Sequence, residues 1–444
     1  MSAPPDPPAR PRLRTAEEVH VTFVRQWAMI ALTIAGTLPG PILRLLEVTG
    51  GPHPDLPPLV ESLIFGLGIF SAATLLIWAS EVAETEVSAG LALVALALIA
   101  VLPEYAVDLY FAWTAPDNPA NAHLAIANMT GGNRLLVGLA WPTVFLIFFW
   151  RTRRTVMAVA PSNSLGILFL GAATLYSFSI PIRGHLSLID TAVMFGLFGA
   201  YLYIASRAPP EDNRVFVGPA ATIAALPRSQ RRLTTLGIFV YAALVIFAAA
   251  EPFAEGLVDT GENLGVDEFL LVQWVAPLAS ESPEFILAGM LAARGRWDAG
   301  MTILISSKVN QWTLLIGSLP LAYSISGGTL GPLDFDSRQA EEVFLTAGQS
   351  MFAVAILVSL SMAWWEAILL AGLFGTQLFF TDETVRAGYG AGYLALAALV
   401  FLRDLPRIPS FISTARDTAM HGDPGHAKLK QGTAAPTQRG PPDV

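Results

Sequence analysis

Two stretches of this sequence place carboxylates where their surroundings dictate chemistry. AVLPEYAVDLYFAW carries Pro103, Glu104 and Asp108, and ASESPEFILAGMLAAR carries Ser280, Glu281, Pro283 and Glu284. Each sets a Pro-Glu pair inside an otherwise apolar helix. A carboxylate at that depth costs roughly 2.5 kcal/mol or more to insert into a bilayer, so buried acids of this kind mark ion paths. Proline removes a backbone N–H and frees the carbonyl one turn back. A freed carbonyl beside carboxylates supplies the hard oxygens that suit Na⁺ or Ca²⁺. Asp108 follows Glu104 by four residues and Glu281 precedes Glu284 by three, so each pair shares a helix face. The segments that follow are also polar. One holds Asn128, Gly131, Gly132, Asn133 and Arg134; the other holds Ser306, Ser307, Lys308 and Asn310.

The elements that must position these residues are membrane helices. The chain has 444 residues, of which 53% are hydrophobic and only 14% charged. Soluble domains carry about 25% charged residues, so this composition belongs to a polytopic membrane protein. Runs long enough to cross a bilayer occur near Trp27–Leu46, Leu59–Ser80, Val87–Trp113, Ala122–Trp150, Leu165–Ile182, Ser187–Ser206, Thr235–Val258, Val266–Ala293, Ala299–Ser324, Val343–Met362, Trp364–Phe380 and Gly388–Leu402. The expected fold class is therefore all-α, with about twelve transmembrane helices. Residues 1–26, rich in Pro and Arg, and 405–444, rich in Gly, Pro and Asp, are expected to be disordered tails.

Two blocks, 59–207 and 235–381, share one order of features on either side of a linker at 208–234. A plain span comes first, then a Pro-Glu span, a polar-interrupted span and two plain spans. Five is odd, so the second block enters the membrane upside down relative to the first. Such inverted repeats hold their ion site between the halves near the midplane. The extra helices at 27–46 and 388–404 stand outside the duplication.

Basic loops stay cytoplasmic. Arg10, Arg12, Arg14 and Arg25, then Arg151, Arg153 and Arg154, then Arg207, Arg214, Arg228, Arg231 and Arg232, then Arg294 and Arg296, and finally Arg403 and Arg407 all fall on one side if twelve spans alternate. The opposite loops hold Asp259, Glu262, Asp334, Asp336, Glu341, Glu342, Asp382 and Glu383, with Arg183, Arg338 and Arg386 as the exceptions. Both termini are thus expected in the cytoplasm, with the protein in the plasma (inner) membrane. Glu61, Glu251, Glu366 and Asp190 lie near span ends and are expected to be solvated. A net charge of −9 argues against a nucleic-acid partner, and the absence of cysteine excludes a thiolate metal site.

LPE in the first block and SPE in the second resemble the repeats of the calcium/cation antiporter superfamily, which includes the sodium/calcium exchangers. Its pattern is roughly G-T-S-x-P-E, then a helix with G-N-x-x-G-S-N, and ANMTGGN from Ala127 to Asn133 is similar to the latter. The resemblance spans Leu59 to Phe380. It implies alternating-access exchange of cations, held by Glu104 and Glu284, with Asn128 beside them and hydroxyl positions at Ala100, Val101, Ser280 and Glu281. The partners it implies are the lipid bilayer and small inorganic cations (Ca²⁺, Na⁺ or H⁺), with no cofactor and no enzyme activity. The motifs H-E-x-x-H and G-x-S-x-G are absent from the sequence.

Departures from the pattern refine this expectation. Ala100 and Val101 replace both hydroxyls, and Asp108 stands at a usual hydroxyl position. The second block reads Thr302-Ile303 for G-N, and Lys308 replaces the last Asn. Lys308 is the only lysine outside the C-terminal pair Lys428 and Lys430. An ammonium there substitutes electrostatically for a bound sodium, leaving proton coupling as the expected mode. Asp108, Glu281, Ser280 and Asn128 join the expected cation ligands. Lys308 and Arg134 compensate charge, Asn133, Asn310 and Ser307 give polar support, and Pro103, Pro283, Gly131 and Gly132 break or thin the helices. The alternative expectation is a non-transporting relative in which Lys308 and Arg134 fill the cation site.

Overall fold

A computed structural model describes residues 16–51, 54–83, 102–206, 216, 218–265 and 267–421. The apolar segments are helical because hydrocarbon offers the backbone no partner but itself. In chain order the helices are α1 Ala16–Thr37, α2 Pro39–Val48, α3 Pro58–Ala83, α4 Leu102–Thr114, α5 Ala120–Leu135 and α6 Trp141–Thr152. Next come α7 Ser164–Ser177, α8 Ser179–Arg183, α9 Leu188–Ala205, α10 Pro219–Ala224, α11 Arg228–Leu264, α12 Glu268–Ala293, α13 Trp297–Asn310 and α14 Ile316–Gly327. The chain closes with α15 Ser337–Leu357, α16 Trp364–Gln377, α17 Glu383–Asp404 and α18 Ile408–His421. A π-helical turn joins α5 to α6 at Leu136–Ala140, and a second joins α13 to α14 at Gln311–Leu315.

Among the described residues, eight helices or joined helices are long and apolar enough to cross a membrane. They correspond to eight of the twelve expected spans. Of the other four, the expected span Val87–Trp113 falls partly outside the described residues. α12 and the α13–α14 pair carry the acids, lysine and amides of the centre, and α16 has only 14 residues.

Among the described residues, four short strands tie the two copies together. β1 Val156–Ala158 follows α6, β2 His185–Leu186 follows α8, β3 Leu333–Asp334 follows α14, and β4 Ser361–Ala363 follows α15. β1 pairs antiparallel with β4, Met157 opposite Met362, and β2 pairs with β3, Leu186 opposite Leu333. The end of the third span in one copy thus meets the end of the fourth span in the other. Copies inserted the same way up would leave those ends on opposite faces of the bundle. The pairing of unlike positions therefore requires opposite insertion, as in inverted repeats.

Several segments depart from the sequence expectation. Residues 16–26 belong to α1 rather than to a disordered tail. In the C-terminal segment, α18 buries Phe411 and Ala415 against α7, and Thr418 lies 3.4 Å from Ser164. Those three positions recur at helical spacing, which gives a mostly polar segment one buried stripe. The linker is helical in α10 and from Arg228 onward. Asp190 and Glu366, expected to be solvated, are buried at 0% and 1% exposure. Asp190 closes a capping box with Ser187 at the start of α9 and accepts from Arg183, and Glu366 pairs with Arg403 at 2.7 Å. Glu251, half-buried, pairs with Arg44. Carboxylates at helix ends are held there by backbone N–H groups and arginines, which replace the water they lose.

Candidate functional site

Close approach of α5 to α12 builds the centre. A Cβ on Gly131 would lie 1.9 Å from the Gln273 carbonyl oxygen, and one on Gly132 would lie 2.1 Å from a Glu281 carboxylate oxygen. Only glycine permits that spacing. The Glu281 carboxyl thereby lies directly against the α5 backbone.

Glu104 and Asp108 come from α4, and Glu281 and Glu284 from α12. All are buried, at 9% exposure or less. Glu104 lies within electrostatic reach of Glu284, Glu281 and Asp108, and Glu281 within reach of Glu284 and Asp108. Each acid also has a neighbour. Asn128 donates to Asp108 Oδ1 at 2.9 Å, and the Ser307 hydroxyl donates to Glu284. The Gln311 side chain, on the second π turn, faces both Glu104 and Glu281. Tyr105 donates to Asn310 Oδ1 at 3.2 Å, which links α4 to the end of α13.

Lys308 is fully buried. Its Nζ donates to Asn133 Oδ1 at 2.8 Å and to the Asn133 carbonyl at 3.1 Å, and sits 4.5 Å from the centre of the Trp312 ring. Glu281 lies within electrostatic reach of it. Asn133 and Lys308 occupy matching places in the two copies, since each π turn begins three residues further on. The central polar contact therefore joins a residue to its own counterpart.

Other expected site residues stand elsewhere. Ser280 is buried, but its hydroxyl donates to the Ala276 carbonyl of its own helix at 3.3 Å. Arg134, expected to compensate charge in the cation site, turns away and pairs with Glu342 of α15 at 2.5 Å. Glu342 also accepts from Arg386 of α17, and Arg386 Nε reaches Glu341 at 3.2 Å. Glu341 and Glu342 were expected in an acidic loop. They lie in the first turns of α15 and are buried at 9% and 1% exposure, because two arginines replace their water. Pro103 is buried in the first turn of α4 and Pro283 falls inside α12. Ala100 and Val101 lie outside the described residues. Gln311 and Trp312 were not singled out from the sequence, and Glu341, Glu342 and Arg386 were read there only as loop charges. A glutamine three positions after the lysine, in a run expected to cross the membrane, was the available signal for Gln311.

Two unit charges about 4 Å apart interact by about 4 kcal/mol at an effective dielectric of about 20. Four carboxyls and one ammonium in a single buried space thus need further positive charge, from protons or metal cations, whenever the acids ionise. Among the described residues, no three acid or imidazole groups converge tightly enough to hold a metal ion.

The fold and this centre define a polytopic membrane protein whose two inverted copies bring four buried carboxyls within electrostatic reach of one another, the class of cation antiporters. A match to the sodium/calcium exchanger protein family covers residues 59–207 and 234–381, and the chain belongs to that family. Among solved structures, the crystal structure of the H⁺/Ca²⁺ exchanger CAX is 42% identical, with a TM-score of 0.83 over 89% of this chain and 98% of that one. The Ca²⁺/H⁺ antiporter protein YfkE is 16% identical, with a TM-score of 0.54 over 81% of this chain and 99% of that one, a likeness of fold. None of the curated proteins compared matches the chain.

Proposed function

We propose that this protein is a secondary antiporter that exchanges a metal cation for protons across the membrane, with Ca²⁺ the leading substrate. The observation that carries the reading is the burial of Glu104, Asp108, Glu281 and Glu284 from both copies around one space, with Lys308 beside them. Likeness to the H⁺/Ca²⁺ exchanger CAX supports the ion pair. The acids hold protons when the cation is absent and release them as it enters; an internal ammonium takes the place of a co-bound sodium. Asn128, Ser307 and Gln311 hold the carboxyls while they are protonated and yield them to the cation. Access alternates as the copies rearrange about the site.

In this reading the protein works as a transporter, not an enzyme, and its partners are lipid and small inorganic cations. The arginine-rich loops favour an orientation with both termini in the cytoplasm, and the membrane of this proposal is the plasma (inner) membrane. The test is uptake into proteoliposomes under a pH gradient alone, with Ca²⁺, Na⁺ and K⁺ offered in turn. Ca²⁺ uptake that collapses with the gradient is expected, as is its loss in Glu104→Gln and Glu284→Gln. Absence of any cation movement in the unaltered protein rejects the reading.

A further inference from the structure

The buried ionic cluster of Arg134, Glu342, Arg386 and Glu341 lies outside the acid-lined space, and the exchange reading does not use it. Arg134 is 0% exposed, and its guanidinium lies over Trp274 at 5.1 Å as well as against Glu342. Ionic groups in such a place are held only against well-placed partners, so the position calls for a reason. Fold alone does not supply one. The register that matches Asn133 with Lys308 matches Arg134 with Val309, so the same place in the other copy is apolar and folds without a charge.

The cluster also draws on α17, a helix outside the duplication. α17 is seated on α15 at backbone distance: a Cβ on Gly348 would lie 2.8 Å from the Gly390 carbonyl oxygen. α15 also reaches α5 directly, with Gln349 Nε2 donating to the Arg134 carbonyl at 3.4 Å. The α15–α17 pair thus forms one body, and Arg134 is the side chain that pins α5 to it. The residue immediately before Arg134 is Asn133, which holds Lys308 by both its carbonyl and its side chain.

We propose that Arg134 is a positioning residue of the exchange site: paired with Glu342 and, through it, Arg386, it fixes α5 against α15 and α17 and so holds the Asn133 cradle of Lys308 in place. α17 is then part of the scaffold of the site. The proposal deepens the exchange reading and rests on Lys308 serving in that site.

The test uses the scarcity of lysine. Lys308 is accompanied only by Lys428 and Lys430, so its acetylation by acetic anhydride can be read by mass spectrometry with those two as internal references. Arg134→Gln combined with Glu342→Gln keeps the cluster balanced, with Arg386 still facing Glu341. In that variant, labelling of Lys308 relative to the references is expected to rise about tenfold, as for a side chain whose neighbour has lost its anchor. Arg134→Lys, which keeps the charge, is expected to return it to within about twofold of the original. In proteoliposomes the double variant should raise the half-saturating cation concentration with little change in maximal rate. A monodisperse double variant with unchanged Lys308 labelling overturns the proposal, and so does a loss of maximal rate with half-saturation unchanged. If the unaltered protein moves no cation, the exchange reading fails, and the labelling ratio still decides whether Arg134 holds the cradle.

Discussion

Gly131 and Gly132 are neighbours on α5, yet adding one methyl group to each should have opposite consequences. At Gly131 the new Cβ meets the Gln273 carbonyl oxygen at 1.9 Å, about 1.5 Å inside the 3.4 Å at which ordinary contact begins. A carbonyl in the α12 backbone cannot step aside, so the helices must part. Overpacking usually costs about 1–3 kcal/mol, and a backbone obstacle places Gly131→Ala at about 3 kcal/mol or more. At Gly132 the new Cβ meets the Glu281 oxygen at 2.1 Å, the far end of a side chain that can rotate. Moving it off its rotamer costs about 0.5–1.5 kcal/mol, which leaves the fold intact. The rotation takes the carboxyl away from Lys308 and the other acids, so exchange should suffer. A loss of about 1.4 kcal/mol of cation binding is a tenfold rise in half-saturating concentration. The assays are thermal unfolding in detergent and cation-dependent uptake into proteoliposomes. Gly131→Ala should unfold several degrees lower, whereas Gly132→Ala should unfold near the original temperature and bind cations more weakly. Equal destabilisation of the two, or an unaffected Gly131→Ala, would refute the reasoning.

Other outcomes follow from single side chains. Lys308→Asn removes the internal ammonium, and its flux should acquire a dependence on sodium, read by ion competition in proteoliposomes; unchanged coupling counts against the lysine's role. Asp190→Ala strands Arg183 and removes the bonds from Tyr176 and Ser187. It should cost about 3 kcal/mol in stability while leaving the half-saturating cation concentration unchanged. Arg153 ends α6 at φ 58° and is exposed, so Arg153→Gly should stabilise the protein by about 0.5–1 kcal/mol in thermal unfolding.

Much of the helical framework was legible because hydrocarbon leaves the backbone one solution. The acids of α4 and α12 stood out for a related reason: a carboxylate beside proline in an apolar run has no bland explanation as strong as the functional one. What could not be read is which charge answers which. Arg134 sits two residues from Gly132, yet it turns to Glu342, which lies beside Glu341 at what looks in sequence like a loop edge. Sequence shows that a charge is present near a span end, but not whether an arginine from another helix replaces its water. The ladders of β1–β4 and β2–β3 were equally hidden. Strands of two or three residues carry no periodicity, and their pairing is set by the orientation of the copies rather than by local preference. The π turns escaped for a similar reason, being adjustments to packing between helices.

The ladders have a consequence for how the chain is made. Translation delivers Val156 well before Ala363, its partner across the ladder. Throughout that interval the first half leaves the ribosome with two short edges that nothing on its own side can satisfy. Neither half is a self-sufficient unit, and a nascent chain released before Ser361 would present a bare edge to whatever it meets. Completion of the second half is what closes the first.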